Sequence, residues 1–259
     1  MQADAAMAKP SPGATTCDSV LGGRLTLTQP KAGHRVGHDA VLLAAAAPAG
    51  ARGMVDLGAG VGAAGLSFLA RCPQALGVLV EIDPALAELA RANAQANGMA
   101  GRCRAVAADV LALGRRAGPA EVAAGAADLV LMNPPYNARA AHNVSPQSGR
   151  ALAHDAGEGL LEDWIKSAHR CLAPGGTLCL IHRPQALEEI LAALSGRFGA
   201  AELIPLFPAP GAPAGRLIVR ALKGRRTPPA LLPGLVLAGA DGAPSPAAEA
   251  ILRAAQPLA

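Results

Sequence analysis

Aromatic side chains are nearly missing from this chain: its 259 residues include one Trp, one Tyr and three Phe, so a core must lean on Ala and Leu. Cysteine is scarce and does not cluster. Cys17, Cys72, Cys103, Cys171 and Cys179 form no Cys-x-x-Cys pair, which argues against a disulfide framework and against a structural zinc site. The six histidines are scattered without metal-ligand spacing, so no metal is expected. No apolar run free of Gly, Pro and charge reaches membrane-spanning length, and the amino-terminal stretch has no basic flank followed by an apolar segment. These absences lead us to expect a soluble, cytoplasmic protein with no membrane partner. Internal repeats are also absent, and sequence gives no handle on oligomeric state.

What is present is a 51% hydrophobic content, ample for a core, in a length that allows one large or two small domains. The formal charge is +4, and Arg far outnumbers Lys, which favours bidentate phosphate contacts and a polyanionic partner. The surplus of Ala, Gly, Pro and Arg is equally what a GC-rich coding sequence would give.

The most informative stretch is Ala127-Asp128-Leu129-Val130-Leu131-Met132-Asn133-Pro134-Pro135-Tyr136. Its apolar run, bounded by turn formers, reads as a strand buried on both faces. Pro134 and Pro135 end the strand, because neither donates an N–H and both have a fixed φ. The loop therefore stands beyond a strand's carboxyl end, where open α/β sheets bind ligands. Asn133 offers an amide oxygen, Pro134 a fixed carbonyl and Tyr136 a ring that can lie on a planar group. Two acceptors that take both hydrogens of an aromatic amine aim its lone pair at an electrophilic carbon. Asn-Pro-Pro can also be plain turn punctuation, but the chain's one Tyr stands here.

Residues 1–20 lack periodicity and are expected to be a disordered tail. Leu25 to Thr28 alternates as a strand would, and a polar stretch from His34 to Asp39 leads into a short helix, Ala40 to Ala47. That approach, with Gly37, can hold a carboxylate on free N–H groups, or Asp39 can simply cap the helix. Met54 to Gly62 is a strand running into a glycine turn, followed by a helix from Ala63. Gly60 to Gly65 matches G-x-G-x-x-G, but Asp56 already ends the strand, and an acid there repels a pyrophosphate and welcomes an ammonium group. The next strand ends at Glu81, placed to take both hydroxyls of a ribose, while Asp83 before Pro84 caps the following helix. Arg102 to Ala107 is a third strand. Asp109 after it can accept from an adenine amino group or cap the next turn. The repeated βα order implies a doubly wound parallel sheet.

Beyond Tyr136, about twenty polar residues have the length of a lid or binding loop, with Arg139, His142, Arg150 and His154 able to meet phosphates. Further on we expect a helix from Leu160 to Leu172, a strand from Thr177 to His182, a helix from Gln185 to Phe198 and two strands, Ala201 to Phe207 and Arg216 to Leu222. Lys223-Gly224-Arg225-Arg226 opens a C-terminal extension, residues 223–259, with a short strand and a helix near Ala247 to Ala255.

Taken together, the chain resembles the class I S-adenosylmethionine-dependent methyltransferases over about Leu21 to Leu222. The resemblance implies a mostly parallel seven-stranded α/β sheet with an antiparallel last strand, with the C-terminal extension packed on it. It makes Asn133, Pro134, Pro135 and Tyr136 the catalytic motif of amino-group methylators. It implies S-adenosylmethionine contacts from Val36, Gly37, Asp39, Asp56, Gly58, Gly60, Glu81, Ile82, Asp109, Val110 and Asn133, and RNA contacts from Arg139, Arg150, Lys223, Arg225 and Arg226. Arg35 to Leu43, Arg150, Trp164 and Ala240-Asp241-Gly242 are similar to one branch, the bacterial tRNA methyltransferases acting on N6 of adenine 37. The expected reaction is adenine N6-methylation in RNA. Glutamine-side-chain and guanine-N2 methylation are the alternatives within the fold, and an NAD-linked oxidoreductase or a silent RNA-binding module the alternatives outside it.

Overall fold

The structure, a computed structural model, describes residues 14–31, 36–114, 119–136 and 159–258. It opens with a hairpin of β1 (Thr15–Val20) and β2 (Leu25–Pro30), paired antiparallel from Thr15 opposite Pro30 to Val20 opposite Leu25. The expected disordered tail is thus corrected over Thr15–Val20, while residues 1–13 lie outside the described residues. Strand β1 buries no residue fully, so it carries a weak hydrophobic signal, and beside the backbone pairing Gln29 Nε2 donates across to Asp18 Oδ2 at 2.7 Å. The hairpin is tied to the helix α3 (Pro84–Ala96) and the residue after it by two asparagines one turn apart. Asn93 exchanges hydrogen bonds with the N–H and carbonyl of Thr28, and Asn97 with those of Thr26, all at 2.8–3.0 Å.

The main sheet sorts its side chains by the two-residue period of its strands. These are β3 (Gly53–Leu57), β4 (Leu76–Glu81), β5 (Cys103–Ala107), β6 (Ala127–Met132), β7 (Leu172–His182), β8 (Phe198–Phe207) and β9 (Arg216–Lys223). Met54, Leu79, Leu129 and Leu131 face one core with α1 (His38–Ala46), α2 (Ala63–Arg71) and α3. Val55, Leu57, Val80, Val130 and Met132 face the other, under α4 (Val110–Gly114), α5 (Leu160–Cys171) and α6 (Leu187–Leu194). The order is β5-β4-β3-β6-β7-β9-β8, parallel except for β9, which runs antiparallel between β7 and β8. This is the expected seven-stranded sheet. The extension adds two short strands beside β8, β10 (Ala230–Leu231) and β11 (Leu235–Val236), and the helix α7 (Pro246–Ala254).

Two boundaries move by four residues or more. Strand β7 begins at Leu172, carrying Pro174-Gly175-Gly176 as a bulge opposite the start of β6. Helix α6 stops at Leu194, and Phe198 belongs to β8, because Gly196 turns left-handed at φ +74°. Among the described residues no helix is long and apolar enough to cross a membrane.

Candidate functional site

Strand order reverses between β3 and β6: the chain steps outward from β3 to β4 and β5, then returns to pair β6 on the other side of β3. Ligands of doubly wound sheets bind at such a switch point, beyond the carboxyl ends. Leu57 pairs with Met132, so Gly58 and Asn133 leave the sheet side by side.

The first wall is the glycine turn. Gly58, Gly60 and Gly62 have φ of +68°, +56° and +91°, and Gly62 opens α2. Gly60 donates its N–H to Glu81 Oε2 at 2.8 Å, and Asp83 donates to Glu81 Oε1 at 3.0 Å. The two bonds fix the carboxylate at the end of β4. Beside it Ile82 is 51% exposed, an apolar surface open at the sheet's ligand end. Asp83 caps α3 by accepting from Ala85 N–H at 2.8 Å, as expected.

Asp56 is buried beneath the turn and accepts from Gly65 N–H at 2.8 Å. Burial, offset in part by that bond and reinforced by the Glu81 charge, pushes its pKa from 3.8 to about 7. The folded state then holds this proton more tightly than the unfolded chain, so this group's contribution to stability falls as pH rises through that window. Asp56→Asn is expected to melt near the wild-type temperature at pH 4 and above it at pH 8. A gap that does not widen with pH, read by calorimetric melting, overturns the assignment.

The second wall joins distant elements. Gln29 accepts from Val36 N–H at 2.8 Å and so fixes the approach to α1, whose N-cap is Gly37. Asp39 therefore lies inside the first turn and is not the cap. Its Oδ2 accepts from the Tyr136 hydroxyl at 3.0 Å and from Arg216 Nε at 2.7 Å. The Tyr136 hydroxyl also lies 3.1 Å from Asn133 Oδ1. The Tyr136 and His182 rings pack in a T shape with centroids 4.9 Å apart, and the Arg216 guanidinium carbon lies 5.1 Å from the Tyr136 centroid. Burial, and the Asp39 charge after it, hold the Tyr136 phenol well above its ordinary value. Burial pushes His182 down, so that imidazole is neutral at pH 7. Pro134 is buried, while Asn133 and Pro135 are half-buried.

Asp109 caps α4 through Leu111 N–H at 2.8 Å, and the Val110 side chain is buried in the core beneath α4. Lys223 does not face a ligand: its ammonium donates to the carbonyls of His169 and Leu172 at 2.7 and 2.6 Å, closing the end of α5. Arg225 and Arg226 are exposed, but β9 is antiparallel, so they follow its end on the far side of the sheet. Eight residues of β9 put them roughly 20 Å or more from Tyr136. Arg139 and Arg150 lie outside the described residues. His182 and Arg216, expected only as strand residues, join the site because β7 ends and β9 begins at the ligand side. Among the described residues no group of three or more His, Cys, Asp or Glu side chains is placed to hold a metal.

The methyltransferase small domain family matches residues 34–205. A tRNA1(Val) (adenine(37)-N6)-methyltransferase of Porphyromonas gingivalis is 34% identical over 174 residues, covering 64% of this chain and 66% of that protein. A 4-amino-L-phenylalanine/4-methylamino-L-phenylalanine methyltransferase of Streptomyces pristinaespiralis is 33% identical over 163 residues, 59% of this chain and 51% of that protein. The chain thus spans just under two thirds, or less, of these curated relatives. A solved structure, a predicted O-methyltransferase of Agrobacterium tumefaciens, is 32% identical with a TM-score of 0.67, covering 82% of this chain and 94% of that one.

Proposed function

The chain belongs to the methyltransferase small domain family, and from that premise we propose that it methylates the exocyclic amine of an adenine in RNA, with tRNA as the substrate class. S-adenosylmethionine is the methyl donor of such enzymes, and the residues at the ends of β3 and β4 fit it. A side chain at Gly60 would point into open space, Glu81 keeps lone pairs for two hydroxyls, and exposed Ile82 suits a planar base. Bound there, the donor supplies an electrophilic methyl group on a sulfonium that departs as a neutral thioether. The observation that carries the reading is Asn133 beside the glycine turn with Tyr136 standing over the same opening.

Asn133 Oδ1 and the Pro134 carbonyl accept the two amine hydrogens and turn the lone pair outward. Tyr136 offers its ring to an extruded base, where stacking is worth about 1–3 kcal/mol against an extrusion cost of a few. The tRNA-modifying relative supports adenine as the target. A second reading, the aromatic amine of a small molecule, is favoured by the Streptomyces relative and by the distance of Arg225 and Arg226 from the site.

Incubation with methyl-labelled S-adenosylmethionine and, separately, bulk tRNA, cell protein and 4-aminophenylalanine separates these readings. The expected result is label in tRNA that digests to N6-methyladenosine. Label only in protein or only in the amino acid refutes the proposal. A tRNA affinity that does not fall with salt also counts against it, since a contact with several phosphates makes log affinity fall linearly with log salt.

A further inference from the structure

The Tyr136 hydroxyl has one proton and two acceptors in reach, Asp39 Oδ2 at 3.0 Å and Asn133 Oδ1 at 3.1 Å. A carboxylate is the stronger acceptor, so the proton goes to Asp39. That choice has a chemical consequence for Asn133. If its oxygen held the phenol, one lone pair would be spent on Tyr136 before any amine arrived. Arg216 keeps Asp39 in place: its Nε donates to Asp39 Oδ2 at 2.7 Å, and its Nη1 donates to the Gly215 carbonyl at 2.9 Å, anchoring the guanidinium at the start of β9. The same guanidinium lies near the Tyr136 ring, and the His182 and Tyr136 rings pack in a T shape at an interplanar angle of 73°. One ring is thus gripped by α1, the end of β7 and the start of β9.

We infer that Asp39 and Arg216 are positioning residues of the methyl-transfer site, taking the Tyr136 hydroxyl so that the ring is locked and the Asn133 oxygen stays open to the substrate amine. The inference rests on the proposed roles of Asn133 and Tyr136, and it gives Asp39 a task other than the cofactor contact that resemblance implied. Stability alone does not explain the pair. With side chains 38% and 26% exposed, such an ion pair contributes little to folding. A purely structural role therefore leaves Arg216→Gln nearly as active as wild type, whereas a positioning role does not.

The test is a set of cycles among Asp39→Asn, Arg216→Gln and Tyr136→Phe, with melting temperature as the fold control and calorimetry for S-adenosylmethionine. Each single variant is expected to lower kcat by roughly 10- to 100-fold, as misplaced reacting groups do, with cofactor affinity within about threefold of wild type. In the Tyr136→Phe background, Asp39→Asn and Arg216→Gln should each cost less than about twofold, because the group they act through is gone. Fully multiplicative losses overturn the inference. So does a loss of cofactor affinity that accounts for the whole effect of Asp39→Asn.

A second readout needs no turnover. Tyr136 is the only tyrosine, so 3-fluorotyrosine labelling places the fluorine probe on this ring alone. Its spectrum should shift or broaden in Arg216→Gln, and in Arg216→Lys should the glutamine variant not fold. An unchanged spectrum sinks the idea. If the wild-type enzyme modifies no RNA yet the cycles and the fluorine signal behave as stated on another aromatic amine, the substrate proposal fails and this one stands.

Discussion

Asn133→Ala is expected to lower kcat for methyl transfer by two to three orders of magnitude, about the effect of deleting one preorganised group at a developing charge. The reason lies in how little else holds the amine. Met132 is the last strand residue and fully buried, Pro134 is buried and offers only a carbonyl, and Pro135 has no N–H, so among residues 132–135 Asn133 supplies the one side-chain acceptor. Losing it leaves the amine with the Pro134 carbonyl alone, and the lone pair is no longer aimed. Folding should be nearly unaffected, because the Tyr136 hydroxyl already donates to Asp39 and loses no bond with the amide. Calorimetry should find S-adenosylmethionine affinity within about threefold of wild type, since Glu81 and the glycine turn lie on neighbouring strands. A folded Asn133→Ala enzyme that turns over at the wild-type rate would return the loop to mere punctuation. A large loss of cofactor affinity would make Asn133 a cofactor contact first.

The parts of this site that could be read in sequence are those set by local chemistry. Asp83 before Pro84 caps α3 because its carboxylate reaches the N–H of Ala85 two residues on, and Asn-Pro-Pro ends β6 because proline cannot continue it. Glu81 and the glycine turn are found from the order of strand, acid and helix, although their mutual bond spans 21 residues. What sequence hid depends on which strands are neighbours. Arg216 reaches Asp39 across 177 residues only because β9 inserts antiparallel between β7 and β8. The same insertion carries Lys223 to the opposite end, where it closes α5. A basic cluster that looked like an RNA contact is therefore divided: Lys223 is a structural cap, and Arg225 and Arg226 are exposed on the far side. Asp39 was open to two local readings, cap or ligand, and the geometry gives it a long-range third.

Gly58→Ala is expected to destabilise the enzyme by about 2–5 kcal/mol and to abolish cofactor binding at ordinary concentrations. Two costs add at this position. At φ +68° a Cβ meets the following carbonyl, worth about 1–2 kcal/mol. The same Cβ would overlap the Trp164 ring, which rises from α5 against the turn, and overpacking of this kind costs about 1–3 kcal/mol. The turn can escape only by moving, and moving it drags Gly60 from Glu81. Trp164 should therefore be a partner in the effect. Trp164→Phe withdraws the part of the ring that the new methyl would strike, so in that background Gly58→Ala should lose the overpacking cost and keep the left-handed one. Thermal melting of the four proteins measures this coupling. Additive losses would mean that the ring yields freely and that backbone conformation alone fixes glycine at this position, while a Gly58→Ala protein with wild-type melting and cofactor affinity would remove the turn from the binding site.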